Sequence, residues 1–270
     1  NALGTGGVTV TAGNLYVTSG ATVSNAITIG SAASSGWGST QTAAGWDFST
    51  TTTATSTGAL SATTSGSGLT VGALTKGSGL TASGVATYFG SFTGWSNGTA
   101  ASGLTASDQA FADANGKYLT FSITTGSSAL QLTDIIAWKN RHSATGVTAV
   151  AWEYSIGGGA YTTIGTQAAG ATTSSSGNNV SGISLTGVSD LQNIAANTTV
   201  NFRLAGYGAT GNGGSFYLMD LGNTTGLDFG INGKIQTITA ASGSGTLGIN
   251  STGAATFGGT ITNNNLATLN

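Results

Sequence analysis

Between Val150 and Ile156 the chain alternates without a break: Val150, Trp152, Tyr154 and Ile156 are bulky, while Ala151, Glu153 and Ser155 between them are small or charged. A two-residue period sends successive side chains to opposite faces of an extended strand, so one face is set aside for a core. The pattern recurs. Leu119, Phe121 and Ile123 oppose Tyr118, Thr120 and Ser122; Val200, Phe202 and Leu204 oppose Asn201 and Arg203; Phe216 and Leu218 alternate with Tyr217 and Met219. Several strands with one buried face predict an antiparallel sandwich, with turns at Ile156-Gly157-Gly158-Gly159 and Thr210-Gly211-Asn212-Gly213-Gly214. Trp46, Trp138 and Trp152 fall to its core. The one helical turn expected is Asp190 to Ile194, with Ser189 as its cap.

The positions of aromatics and charges set the limits of this region. Of 5 Trp, 7 Tyr and 9 Phe, only Tyr16 and Phe257 lie outside 37–229. Residues 1–45 carry no charged side chain, and none follows Lys234. Both flanks instead show short apolar runs spaced by Gly, Ser and Asn, such as Val8 and Val10, Ile27 and Ile29, Leu247 and Ile249. Strands this short suit the rungs of a parallel β-solenoid, in which each turn buries a few aliphatic side chains against the next. Asn263, Asn264 and Asn265 would fit a stacked amide corner. The competing account of the flanks is a pair of low-complexity linkers. The expected fold is therefore all-β, a jelly-roll or β-sandwich domain inserted between turns of a parallel β-solenoid. Its expected bounds are 1–45 for the first solenoid segment, 46–221 for the sandwich and 222–270 for the second solenoid segment.

Composition excludes several classes. Eight acids against four Lys and two Arg give a net charge of −2, which cannot neutralise a phosphate backbone, so no nucleic-acid partner is expected. No apolar run approaches the roughly 20 residues of a membrane-spanning helix. No basic segment followed by an apolar one opens the chain at Asn1, which reads as a mature or excised segment. The absence of Cys removes disulfides and thiol chemistry.

The flank NALGTGGVTVTAGNLYVTSGATVSNAITIG resembles the autotransporter-associated β-strand repeat of long bacterial surface proteins, and FGGTITNNN is similar to a further turn of it. The centre resembles a jelly-roll module of exported bacterial proteins at Trp46-Asp47-Phe48, at WEYSIGGGAYTTIGT (152–166) and at NFRLAGYGATGNGGSFYLMDL (201–221). The resemblance implies an extracellular, cell-surface location. It departs from the module where Asp220 is followed by Leu221 in place of Asn.

Candidate sites are few. Nucleophilic catalysis needs a base, and His142, beside Ser143, is the only histidine. A carboxylate pair would have to use Glu153, with Asp134 or Asp113 as partner, against the simpler account of an exposed strand acid. Asp47 and Asp220, on the first and last strands of the expected jelly roll, are candidate ligands of a structural calcium ion, the only cofactor considered; their competing role is to bond turn amides. Trp95, flanked by Ser96-Asn97, and Tyr207, between Gly206 and Gly208, are candidate carbohydrate-binding aromatics, with edge core as the alternative. Lys76 and Lys117 sit among turn residues and give no support for an intramolecular cross-link.

The expected function is a non-catalytic structural subunit or segment of a bacterial surface fibre or adhesin. Its partners would be further copies of itself or adjoining repeats of a longer chain, joined by end-to-end β-stacking. The alternative is a carbohydrate-binding module, with glycans as partners, displayed on a solenoid stalk. An ice-binding solenoid and an enzyme rank below these.

Overall fold

The computed structural model describes residues 8–10, 13–18, 22–23, 27–29, 34–49, 59–82, 89–90, 92–98, 103–170, 176–221, 226–239, 245–250, 256–257 and 261–263. Two compact units divide the chain: Asn1–Gly36 with Thr237–Asn270, and Trp37–Gln236.

The first unit pairs strands in parallel. Val8–Val10 lies along Ile27–Ile29, which lies in turn along Ile261–Asn263. Gly13–Thr18 pairs with Gly245–Asn250, and Thr22–Val23 with Thr256–Phe257. These are the short apolar runs expected from the sequence, and three of the four pairings join positions more than two hundred residues apart. Asn263 ends a strand opposite Ile29, while Asn264 and Asn265 lie outside the described residues.

The second unit is all-β and antiparallel apart from two short helices. One sheet runs in the order Thr162–Ala168, Ala149–Ile156, Thr199–Tyr207, Tyr118–Thr125, Leu69–Val71. A second runs Ile183–Ser184, Leu130–Ile135, Phe229–Thr239, Gln41–Trp46, Thr64–Ser65. A third runs Thr81–Ala82, Phe92–Thr93, Phe216–Met219, Trp138–His142, Asn178–Val180. The arrangement is consistent with a β-sandwich. The central unit reaches past the expected 46–221 on both sides. Gln41–Trp46 and residues 229–236 lie within it, paired with each other over Phe229–Gly233 in its second sheet, and their low charge makes them look like flank.

The core sits where the alternation places it. On the inner face of the first sheet Trp152, Phe121 and Phe202 are buried. Trp152 stacks on Phe229 of the second sheet at 5.3 Å between ring centroids, and Phe121 meets Trp46 edge-on at 4.8 Å. Trp138 of the third sheet approaches Phe229 edge-on at 6.3 Å. Such pairs add about 0.5–1.5 kcal/mol each beyond the area they bury. The strand Ala149–Ile156 turns into its neighbour through Gly157 and Gly158, both at positive φ (61° and 80°), which an L side chain would strain.

Helix occurs in two places among the described residues. Ser189–Leu191 forms a 3-10 turn that overlaps the expected Asp190 to Ile194 but is shorter, and Val188, not Ser189, is its cap residue. Gln109–Ala114 is an α-helix that the alternation did not predict. Asp108 precedes it in an extended conformation, and Gly116 ends it at φ 64°. No helix among the described residues is long and apolar enough to cross a membrane.

Candidate functional site

The outer face of the first sheet carries the most unusual chemistry in the described residues. Antiparallel register places Thr163, Glu153, Arg203 and Thr120 side by side across four strands. Beside that row lie Ala151 and Ala205, small enough for Ala112 of the helix to pack on them, with Tyr118 and Tyr207 at the margin. The helix therefore covers part of a face that the sequence pattern assigned to solvent.

That cover changes the state of Glu153. Only 3% of its surface is exposed, which overturns the expectation of an exposed strand acid. Gln109 Nε2 on the helix donates to Glu153 Oε1 at 2.6 Å and to Thr163 Oγ1 at 2.8 Å. Burial, and then the neighbouring charge of Asp113, push the Glu153 carboxyl up to about 7; the Gln109 bond and the Arg203 guanidinium pull the other way. Burial also raises Asp113, against the lowering effect of the adjacent Glu153 carboxyl and of Arg203. Of the two partners expected for Glu153, Asp113 is the one found. Asp134 accepts from Asn232 Nδ2 at 3.0 Å on another sheet.

Arg203 lies over two rings, its Cζ 3.5 Å from the centroid of Tyr161 and 4.1 Å from that of Tyr118. Its Nε, together with Glu153 Oε2 and Asp113 Oδ1, is buried without a hydrogen-bond partner among the described residues. Nothing in the sequence singled out Arg203, Tyr161 or Gln109. Their only signal was that Arg203 and Glu153 fall at outward positions of alternating strands.

The other candidates land elsewhere. Trp95 is 1% exposed and cannot offer a ring to a sugar. Its ring packs edge-on against Phe216 at 5.4 Å, and its Nε1 donates to the Phe92 carbonyl at 2.8 Å. The slot it fills exists because Gly206 has no side chain: a Cβ there would lie 2.6 Å from the indole. Tyr207 is partly buried against the alanine patch under the helix, on the opposite side of its strand from Trp95, so the two form no common platform.

Asp47 and Asp220 do come together, with an acid not picked from the sequence. Asp228, buried, accepts from the backbone N–H of Phe48 and of Leu221, both at 2.6 Å. Burial raises its carboxyl; those two bonds lower it and the nearby charges of Asp220 and Asp47 add to the rise. Asp47 accepts from Ser49 N at 2.9 Å, from the Ser49 hydroxyl and from Gly226 N at 3.2 Å. The carboxylates thus spend oxygens on turn amides, tying the first strand to the turn before Phe229. Among the described residues no group of three His, Cys, Asp or Glu is arranged to hold a metal ion.

His142 is buried with Nδ1 3.0 Å from the Ser143 carbonyl and Nε2 3.2 Å from that of Gly170. The Ser143 hydroxyl accepts from Ser215 N at 2.9 Å, so base and hydroxyl are not paired. Lys117 is buried; burial lowers its pKa, and its Nζ donates to the Gly79 carbonyl at 2.6 Å.

No protein-family model, no curated protein and no solved structure matches the chain.

Proposed function

We propose that the chain is a non-catalytic structural segment of a bacterial extracellular surface fibre or adhesin. In this reading a jelly-roll domain is inserted between turns of a parallel β-solenoid that stacks end to end with adjoining repeats or further copies. One observation carries it: three successive short strands, at 13–18, 22–23 and 27–29, pair in parallel and in order with 245–250, 256–257 and 261–263. Three ordered parallel pairings between segments so far apart are what two neighbouring rungs produce. Val8–Val10 lies along Ile27–Ile29 nineteen positions on, which supplies the length of one rung.

A rung has a hydrogen-bonding row on each side. Among the described residues, Gly245–Asn250 and Ile261–Asn263 each pair on one side only, and no charge or Pro guards them. Such a row is a template for one more parallel rung, and a heterologous contact of this kind propagates.

Sedimentation velocity and negative-stain electron microscopy of the purified chain over a concentration series test the stacking. The expected result is a ladder of oligomers growing one chain at a time into unbranched filaments. A single monomeric species at every concentration would overturn it.

A further inference from the structure

We propose that Asp113 and Glu153 share a single proton between Oδ1 and Oε2, and that this protonated pair is a clasp holding the helical segment 103–116 on the outer face of the sheet and opening as the proton is lost.

Two carboxylate oxygens here are orphaned. Asp113 Oδ1 and Glu153 Oε2 are both buried, and neither receives a hydrogen bond from any described donor. Two ionised carboxylates cannot satisfy each other, since both only accept. One proton between them turns two unsatisfied acceptors into a donor and an acceptor, and halves the buried charge. The remaining oxygen of Glu153 is already used by Gln109, so the proton has a defined place.

The surroundings decide whether the pair can lose that proton in place. From the neighbouring strand the Arg203 guanidinium faces it and supplies one positive charge. The Tyr118 and Tyr161 rings both lie against that guanidinium, and Tyr207 lies at the margin of the alanine patch under the helix. Asp108, before the helix, turns away to accept from Thr105 N and Oγ1. Lys117, after it, is committed to Gly79 O. One cation thus balances a singly charged pair and leaves a doubly charged one in deficit. The two carboxylates then repel, and they sit on different elements: Glu153 in the middle of the sheet and Asp113 on a six-residue helix. The helix is the part that yields.

The sign follows from linkage. Glu153 in the folded chain stands at about 7, above its ordinary 4.5, so its protonated form stabilises the docked segment fully below about 4.5 and the contribution is lost as pH rises through about 7.

Glu153 is the only glutamate in the chain, so selective 13Cδ-Glu labelling gives one carboxyl resonance to titrate. The expected midpoint is close to 7; a midpoint near 4.5 overturns the shared proton. Hydrogen exchange of residues 105–117, corrected for its intrinsic pH dependence, is expected to quicken about tenfold between pH 5.5 and 8.5. An unchanged corrected rate overturns the clasp even where the midpoint is near 7. In Glu153→Gln the amide oxygen still accepts from Gln109 and the amide nitrogen donates to Asp113, replacing the proton by a permanent donor. This variant is expected to match the wild type at pH 5 and to melt about 5 °C higher at pH 8. Equal melting at both pH values, or a variant less stable at pH 8, counts against the proposal. Asp113→Asn tests the same donor from the other side should Glu153→Gln fail to fold.

Discussion

The two faces of the sheet centred on Ala149–Ile156 and Thr199–Tyr207 are built by the same alternation and end in opposite chemistry. On the inner face Trp152, Leu204 and Leu119 line up across three strands, meet the rings of the second sheet and have no charge to satisfy. On the outer face the next positions along, Glu153, Arg203 and Thr120, line up in the same way and are polar. A short helix then covers part of that polar row and removes water from it. Burial on the inner face depends on bulk, whereas burial on the outer face depends on donors and acceptors matching, and there one proton more or less decides the match.

The largest mutational effect is expected on the inner side. Phe229 touches Trp46, Trp152, Trp138 and Phe121 at once, so Phe229→Ala leaves a void no single neighbour can fill. A loss of about 3–5 kcal/mol is expected in urea unfolding of the central unit, with no change in the pH dependence of the remainder. Next comes Gly206→Ala, which drives a methyl into the Trp95 ring. About 1–3 kcal/mol should be lost, and the Trp95 indole should shift in near-ultraviolet circular dichroism. The smallest effect is on the outer side. Tyr161→Ala strips one ring from Arg203 and should cost about 0.5–1 kcal/mol, with no pH-independent loss beyond that. Inner-face variants that altered the Glu153 carboxyl titration, or a Tyr161 variant as damaging as Phe229→Ala, would erase the distinction between the faces.

Much of this was legible in the residues, and the exceptions have physical reasons. Period-two alternation needs only neighbours, so the strands around Phe121, Trp152 and Phe202 and their inward faces could be read directly. It also placed Glu153 outward, but outward is not exposed: whether water reaches it depends on where 103–116 folds. That segment gave itself away only through Asp108 before an Ala-rich stretch and Asn115-Gly116 after it, and six residues are too few for a 3.6-residue period to show. Trp95 was misread because its sequence neighbours, Gly94 and Ser96, are those of a loop; the slot that buries it is made by an absent side chain more than a hundred positions away. Asp228 escaped notice because its partners, the amides of Phe48 and Leu221, are brought to it by strand pairing at both ends of the central unit. The unit's own limits were drawn too tightly for a related reason. Gln41–Trp46 and Phe229–Gln236 are poor in charge because they are interior strands of a sheet, and low charge alone does not distinguish an inner strand from a flank.

All five tryptophans lie between Trp37 and Trp152, inside Trp37–Gln236, and four of them are almost wholly buried, while the described strands of the other unit contain none. The chain therefore carries its own optical label for one of its two units. Tryptophan emission on heating follows the central unit alone, whereas the far-ultraviolet signal sums the strands of both. Two melting curves recorded on one unmodified sample would count the cooperative units directly: coincident curves mean one, separated curves mean two.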